Sequence, residues 1–292
     1  MMGVQYAKPG KLEDATALLA SLGAGASIIA GGQELMPTLN YRVFTPSLLI
    51  DINALKELRG VEIDDGVLSI GALCVHRQLE RDPIVIEHAP LLAHALAQIG
   101  GGWQVRNRGT IGGNIVSMHP LYDSLPALMA YGASVVVARD GGSRTVGLSE
   151  LLTDSRHGLG TEAILARVLV PIGKPDTGWG YCKIKNTHGA YASATAAALA
   201  KVDDAGAVVE IRLVVGSVEP LPRDLSPLLS DGKIDYAHGD YLEKIGQIAV
   251  EAITNPISDQ RGDAEYRRAL AGVSARRAVA EALKRASRPA QA

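Results

Sequence analysis

Two pairs of adjacent glycines constrain the fold of this chain more than any other feature. Gly31-Gly32 directly follows the apolar segment Ser27–Ala30, and Gly112-Gly113 lies within the run Thr110–Asn114. Glycine has no Cβ atom, so the main chain at such a pair can approach a ligand closely and present consecutive N–H groups to an anion. Either pair alone is typical of an ordinary turn. Together they predict a site that grips a dinucleotide diphosphate from two sides.

A Rossmann-type dinucleotide site is excluded by the order of the elements. Its best match, Gly23–Ile28, has two of the required glycines and lacks the third. This match also precedes a strand, whereas the Rossmann fingerprint follows a strand and opens a helix.

The apolar patterning predicts an α+β protein. Leu12–Leu22 has apolar residues every three or four positions and is predicted to be a helix ended by Gly23, and Ser47–Asp51 is predicted to be a strand. Pro171, Gly173 and Pro175 make the best candidate linker, which divides a cofactor region from a smaller C-terminal domain. The other predicted elements are helices at Leu35–Asn40, Val75–Arg81, Leu91–Ile99 and Leu125–Tyr131, strands at Ser27–Ala30, Val67–Ile70 and Ala133–Ala138, a strand or helix at Ala192–Ala200, a strand pair over 206–218 and a helical C-terminal third.

Charge and cysteine content exclude several classes of function. The net charge of −2 gives no reason to expect nucleic acid or an anionic membrane as a partner. The two cysteines, Cys74 and Cys182, are too few to ligate an iron–sulfur cluster, and no Cys/His spacing resembles a zinc site. We expect two reduced thiols rather than a disulfide. The N-terminus lacks a signal-peptide pattern and no apolar run is long enough to span a membrane, which predicts a soluble, cytoplasmic protein.

The C-terminus carries a local excess of basic residues. The expected arrangement is the solvated face of a terminal helix whose other face carries Leu270, Val273 and Leu283, and the alternative is docking to a partner subunit. The basic residues are Arg261, Arg267, Arg268, Arg276, Arg277, Lys284, Arg285 and Arg288.

The runs AGGQELMP at 30–37 and QVRNRGTIGGN at 104–114, with Asp123 and the Pro-Ala that follows, carry a resemblance to a known family. They resemble the FAD-binding medium subunits of molybdenum hydroxylases, the carbon monoxide dehydrogenase and xanthine dehydrogenase family. The similarity extends over nearly the whole chain, and two ordered glycine motifs are far more specific than one. Further matching segments lie at 51–53, 70–72, 90–92, 162–171, 183–192 and 266–267.

This resemblance implies a vanillyl-alcohol-oxidase-type (PCMH-type) FAD-binding domain at 1–175, with subdomains at about 1–57 and 58–175. A smaller α+β C-terminal domain would then occupy 176–292. FAD would be the cofactor of this chain. The resemblance places the molybdopterin cofactor on a large partner subunit and [2Fe-2S] clusters on a small one, in a complex expected to be a dimer of heterotrimers.

The resemblance also implies a set of cofactor-binding residues. One wall would line the diphosphate mainly through backbone amides, the second wall would oppose it, and Asp123 would accept hydrogen bonds from a polar part of FAD. Leu165 would pack near a ring system, and Lys183 and Tyr191 would bring a cation and an aromatic ring towards the isoalloxazine. The first wall comprises Ile29, Ala30, Gly31, Gly32, Gln33 and Glu34, and the second comprises Thr110, Ile111, Gly112, Gly113, Asn114 and Ser117.

Several of these residues have structural alternatives. Asp123 would otherwise be the N-cap of the following helix, Lys183 a surface lysine on a strand, and Tyr191 an ordinary packing residue. His119 is expected to line the site at most, and the other histidines are given no role. The chain departs from the family at Ala190, where an Asp is common, and at 117–122, where the family is small and acidic.

The predicted function is that of an electron-transfer flavoprotein subunit, with no catalytic acid or base and no metal ligand in this chain. It would pass electrons from iron–sulfur clusters of a partner subunit through FAD to an external acceptor. Two alternatives are a self-sufficient flavin-dependent oxidoreductase of the same fold and a non-catalytic module whose glycine turns are structural.

Overall fold

The computed structural model describes residues 3–153, 159–173, 177–230, 234–236 and 239–287. Pro175 of the predicted linker and Arg288 of the basic C-terminal group lie outside the described residues. The described residues form three β-sheets with helices packed against them. None of the described helices combines the length and apolar character needed to cross a membrane.

The N-terminal segment forms a three-stranded parallel sheet. Its elements are β1 (Gln5–Ala7), α1 (Leu12–Leu22), β2 (Ala26–Ile29), α2 (Leu35–Asn40) and β3 (Leu48–Asp51), with a 3₁₀ turn at Gly23–Gly25. The strand order β1-β3-β2 places β3 in the centre, with Ile28 opposite Ile50. Helix α1 forms where its apolar spacing predicts it, and its buried Ala15 and Leu19 belong to the core of this sheet.

The middle of the chain forms a five-stranded antiparallel sheet, in the order β4-β5-β8-β6-β7, with a group of short helices. Helix α8 (Ser124–Tyr131) is buried along its whole length between this sheet and the C-terminal sheet. This packing fixes the position of Asp123 at the N-terminus of the helix. The elements are β4 (Val61–Asp64), β5 (Val67–Gly71), α3 (His76–Leu79), α4 (Pro83–His88), α5 (Pro90–Ala97), α6 (Gly102–Arg108), α7 (Ile111–Ser117), α8 (Ser124–Tyr131), β6 (Ser134–Arg139), β7 (Gly142–Gly147), α9 (Leu148–Thr153) and β8 (Ala163–Pro171), with a 3₁₀ turn at Lys56–Leu58.

The C-terminal segment forms a four-stranded antiparallel sheet, in the order β12-β11-β10-β9, covered by a long helix. Its elements are β9 (Gly178–Ile184), β10 (Ala194–Val202), β11 (Val208–Gly216), β12 (Arg223–Asp224), α10 (Ser226–Ser230), α11 (Tyr241–Ala252) and α12 (Ala264–Ala286). Helix α12 lies so close to β9 that a Cβ atom at Gly180 would come within 1.9 Å of the Ala278 carbonyl oxygen. The close approach of this helix therefore depends on a glycine in the strand.

Two predicted elements differ from the structure, and the structure decides a third that the sequence left open. The predicted strand pair over 206–218 is the single strand β11, whose partner is β10. The segment Ala192–Ala200, predicted to be a strand or a helix, forms the strand β10, so the strand alternative is confirmed. Thr110–Asn114 is not a bare turn, because Thr110 is the N-cap of α7 and the two glycines lie in the first turn of that helix.

The prediction that the basic C-terminal residues all lie on a solvated face was wrong for Arg267. Its side chain is fully buried in α12 and donates to the Ser193 carbonyl oxygen at 2.8 Å and to Asp259. A buried charge must be paired and hydrogen-bonded. Arg267 meets this requirement through Ser193, just before β10, and Asp259, in the loop before α12. The buried face of α12 is mainly alanine.

Candidate functional site

A cleft of about 650 Å³ lies where the three sheets meet, within the size range of ligand sites in proteins. Its walls come from the loop after β2, the chain from Ile99 to Asp123, strand β8, the loop before β10 and the turn before α12. The residues central to the site are Ala30, Gly31, Gly32, Gln33, Glu34, His76, Thr110, Gly112, Gly113, Asn114, Ser117, Tyr122, Asp123, Leu165, Tyr191 and Arg261.

The loop after β2 contributes unsatisfied backbone donors. Within the described part of the chain, the N–H groups of Gly31, Gly32 and Gln33 have no hydrogen-bond partner, and all three residues line the cleft. Gly32 has φ +72°, a conformation that side-chain-bearing residues rarely adopt. Consecutive free N–H groups on such a turn form an anion-binding concavity.

The second glycine pair acts differently from the first. The Gly112 N–H donates to the Ala72 carbonyl oxygen and the Gly113 N–H to Thr110 Oγ1, so neither is free for a ligand. A Cβ atom at Gly112 would lie 2.6 Å from Ala72 Cβ, whereas Gly113 is exposed in the cleft. Gly112 therefore allows α7 to pack closely against Ala72, directly after β5, and Gly113 leaves space in the cleft beside α7. The first pair therefore has free amide N–H groups to offer a ligand, and the second pair does not.

The two glycine motifs lie against each other. A Cβ atom at Gly31 would come within 2.0 Å of the Arg108 carbonyl oxygen, one residue before Gly109 and two before Thr110. Farther along the same wall, Glu34 accepts hydrogen bonds from Tyr122 at 2.7 Å and from Ser117. Both motifs thus border one cleft, joined at its base by a backbone contact and at its rim by Glu34.

The two ends of the cleft differ in chemistry. One end is aliphatic and includes the buried side chains of Leu73, Ile164 and Leu165. The other end is aromatic, since Tyr122 and Tyr191 line it and His119 stacks with both rings at centroid distances of 4.9 and 5.3 Å. The Arg261 guanidinium lies 5.3 Å from the Tyr191 ring centroid, within the range of a cation–π contact.

Asp123 belongs to a buried charge network at the aromatic end. Lys183 Nζ lies 2.7 Å from Asp123 Oδ2 and also donates to the Gln98 carbonyl oxygen, and the Tyr181 hydroxyl donates to Asp123 Oδ1 at 2.9 Å. Burial raises the pKa of the Asp123 carboxyl, and the Lys183 ammonium limits that rise. Asp123 occupies the N-cap position of α8, yet its side chain makes no capping hydrogen bond. It is therefore a buried network residue rather than a helix cap.

Most of the predicted site residues line this one cleft. Three do not: Ile29 lies in β2, Ile111 is fully buried in α7, and Lys183 is only 3% exposed behind Asp123. Lys183 is therefore neither a surface lysine nor a residue of the cleft surface. Those that do are Ala30, Gly31, Gly32, Gln33, Glu34, Thr110, Gly112, Gly113, Asn114, Ser117, Asp123, Leu165 and Tyr191.

The structure adds three side chains that sequence reasoning did not assign to the site. Tyr122 and Arg261 line the aromatic end, and His76 lines the cleft near Gly109. Tyr122 stood within the segment that departs from the family, which was a usable signal. Arg261 and His76 carried none, because an arginine before a helix and a histidine on an apolar pattern are common in any protein.

The cleft fits an extended cofactor with an anionic centre and a flat ring system at one or both ends. Free amides, aliphatic side chains and stacked aromatic rings all border it, and these are the groups that the diphosphate and the two ring systems of a flavin dinucleotide would contact. In the described part of the chain, no group of three or more His, Cys, Asp or Glu side chains is placed to hold a metal ion. Both cysteines are free thiols.

Comparisons with known proteins agree with this chemistry. The family model described as the FAD binding domain in molybdopterin dehydrogenase matches residues 2–173, and that of the CO dehydrogenase flavoprotein C-terminal domain matches residues 179–282. The chain is 35% identical over 280 residues to the carbon monoxide dehydrogenase medium chain of Hydrogenophaga pseudoflava, covering 94% of this chain and 95% of that protein. It is 29% identical to caffeine dehydrogenase subunit beta of a Pseudomonas species, over 96% of this chain and 95% of that one.

Solved structures give the same result. The carbon monoxide dehydrogenase from Hydrogenophaga pseudoflava, in a form lacking the Mo-pyranopterin moiety, contains a chain with a TM-score of 0.90 and 34% identity, covering 97% of this chain and 98% of that one. Quinoline 2-oxidoreductase from Pseudomonas putida 86 gives a TM-score of 0.87 and 29% identity, with 98% and 99% covered.

These matches confirm the predicted fold class, a PCMH-type FAD-binding domain followed by a C-terminal domain, and the predicted cofactor, FAD. They also confirm the oxidoreductase class. The chain belongs to the family of FAD-binding medium subunits of molybdenum hydroxylases.

Proposed function

We propose that this chain is the electron-transfer subunit of a heteromeric molybdenum hydroxylase. Electrons would arrive from [2Fe-2S] clusters on a small partner subunit and leave to an external acceptor, while a large partner would hold the molybdopterin cofactor. The observation that carries the proposal is the row of free backbone amides at Gly31–Gln33, which faces a cleft with chemically different ends. We also propose that two such heterotrimers pair in the cytoplasm.

The proposed binding mode assigns one part of FAD to each part of the cleft. The diphosphate would accept hydrogen bonds from the free amides of Gly31 to Gln33, with Gly113 leaving room on the other wall. The adenine would contact the aliphatic end near Leu165, and the isoalloxazine would lie at the aromatic end beside Tyr191. We propose a domain boundary near residue 175 and a subdomain boundary near 57, since the three sheets lie on separate stretches of chain.

In this mode the chain's own residues bind, orient and shield the cofactor. The bound flavin would supply the redox chemistry, because it accepts electrons one at a time and releases them singly or in pairs. Asp123, held by Lys183 and Tyr181, would offer a fixed acceptor to a polar edge of the cofactor. Glu34, Ser117 and Tyr122 would hold the two walls together at the rim. No side chain of this chain is required to act as a general acid or base.

The proposal is tested by isolating the tagged chain in two contexts. Purified from its native cells under mild conditions, we expect it to bring down one small and one large polypeptide together with iron and molybdenum. Purified alone, we expect it to retain or take up FAD, with the yellow flavin absorbance, and to turn over no organic substrate.

Each contrary outcome supports a specific alternative. Substrate turnover by the isolated chain would establish a self-sufficient flavoenzyme. Absence of flavin absorbance after reconstitution would leave a structural module. Copurification without molybdenum or iron would refute the proposed partners while leaving FAD binding intact.

A further inference from the structure

Arg261 is fixed at the aromatic end of the cleft by its own main chain. Its N–H donates to Asp259 Oδ1 at 2.7 Å, and its carbonyl oxygen accepts from Ser193 Oγ at 2.9 Å. Ser193 follows Tyr191 by two residues, so the same contacts hold the turn before α12 against the loop that carries Tyr191. The guanidinium, about one-third exposed, lies over the Tyr191 ring.

Asp259 does not neutralise this part of the cleft. Its carboxylate is shared between Arg261, at 3.5 Å, and the fully buried Arg267. Two guanidinium groups on one carboxylate leave a net positive charge. Because Arg267 is buried and Arg261 lines the cleft, that charge is available to a ligand through Arg261.

The other cations near this end of the cleft do not line it, since Lys185 acts on Asp123 and is absent from the cleft surface. Lys183 is buried and paired with Asp123 at 2.7 Å, so this pair carries no net charge. Glu34, on the opposite wall, is negative and directs its carboxylate to Tyr122 and Ser117. Among the described residues that line the cleft, Arg261 is the one lysine or arginine.

We propose that Arg261 is the residue that sets the redox potential of the bound flavin, by holding its guanidinium at the aromatic end of the cleft, where the flavin ring would lie beside Tyr191. This inference rests on the proposed function, since it requires FAD in the cleft. Reduction of the flavin by two electrons with uptake of one proton leaves one negative charge on the ring. A cation held against the ring favours that state by Coulomb attraction, whereas a neutralised Lys183–Asp123 pair contributes little.

The test compares the full chain reconstituted with FAD in three variants. Arg261→Gln removes the charge, and Arg261→Lys retains it without the planar fork. Arg285→Gln is the matched control, because Arg285 also lies over an aromatic ring, 3.7 Å from the centroid of Trp179, and lines no part of the cleft. The readouts are the FAD dissociation constant, from flavin fluorescence, and the midpoint potential, from dithionite titration with a reference dye.

We expect Arg261→Gln to lower the preference for reduced over oxidised flavin about tenfold, which for a two-electron couple is about 30 mV more negative. Affinity for oxidised FAD should change by less than that factor. Arg261→Lys should recover most of the potential, and Arg285→Gln should leave it unchanged.

Two results would overturn the inference. One is an unchanged potential in Arg261→Gln that still binds FAD, and the other is an equal shift in Arg285→Gln. If the wild-type chain fails to bind FAD, the proposed function fails instead, so the two failures are distinguishable.

Discussion

At the scale of single residues, Lys183 and Arg261 show that the effect of a charged side chain depends on the carboxylate with which it is paired. Lys183 is 3% exposed and its ammonium contacts Asp123, so it stabilises a buried carboxylate. Arg261 shares its carboxylate with Arg267, and its guanidinium lies beside Tyr191 in the cleft. Sequence position predicted neither arrangement, because each depends on residues far away along the chain.

Replacing Lys183 with methionine should destabilise the protein strongly. The variant leaves Asp123 buried without its cation, a change that costs about 3–5 kcal/mol when one partner of a buried ion pair is removed. The matched control is Lys201→Met, since Lys201 contacts Glu210 at the same 2.7 Å but both side chains are substantially exposed. Exposed pairs contribute about 0–1 kcal/mol. Urea unfolding of both variants measures the difference, and equal losses would contradict the buried network.

His76 should make the protein sensitive to mild acid. Its ring is 2% exposed, and burial, with a smaller effect of Arg106, lowers its pKa from 6.5 to about 4. Between these values the unfolded chain binds a proton that the folded protein excludes. Stability is therefore present above pH 6.5 and is lost as pH falls towards 4.

The size of this effect follows from the two pKa values. Between pH 7 and pH 5 the His76 contribution should fall by about 2 kcal/mol. Unfolding by urea at both pH values, in the wild type and in His76→Gln, isolates it from the other titrating groups. The same loss in both proteins would show that His76 is not its source.

At the scale of secondary-structure elements, the sequence predicts the elements that local spacing determines and misses those that tertiary contacts determine. Helices α1 and α2 lie where the apolar spacing and the glycines predict them, because those signals act within one or two turns. The glycines at Thr110–Asn114 favour a turn in the sequence, but in the structure they are helical. They are held there by the Thr110 cap, by the bond from the Gly112 N–H to Ala72 and by the bond from the adjacent Ile111 N–H to Cys74, and both acceptors lie on a distant stretch.

The loop after β2 leads to a prediction about FAD affinity. Gly32→Val should weaken FAD binding about 100-fold, since loss of two hydrogen bonds to the diphosphate at about 1.5 kcal/mol each corresponds to that factor. The control is Gly66→Val, because Gly66 has φ +74°, close to the +72° of Gly32, and has open space around it in the β4–β5 turn. Flavin fluorescence titration measures both affinities. Equal weakening in the two variants would mean that backbone strain, and not the cleft, is responsible.

At the scale of the whole molecule, the cleft exists only where the three sheets meet. Its walls combine residues as distant as Gly31, Thr110, Leu165, Tyr191 and Arg261. The C-terminal sheet carries Tyr181 and Lys183, which hold Asp123 without lining the cleft, and the loop between its strands β9 and β10 carries Tyr191. Helix α12 packs on that sheet through Gly180 and holds the loop through Arg267. A cofactor seated in the cleft would therefore contact residues from each of the three stretches of chain that form the sheets.

The sequence by itself determined the family and the cofactor through the resemblance that its two glycine motifs carry, and most of the residues it assigned to the site line the cleft, because such motifs are read directly from neighbouring residues. Only the tertiary structure decided which glycine pair keeps its amides free and which cation faces the cleft. The physical reason is that hydrogen-bond satisfaction and charge compensation depend on groups brought together from separate sheets, as Ala72 is to Gly112 and Asp123 is to Lys183.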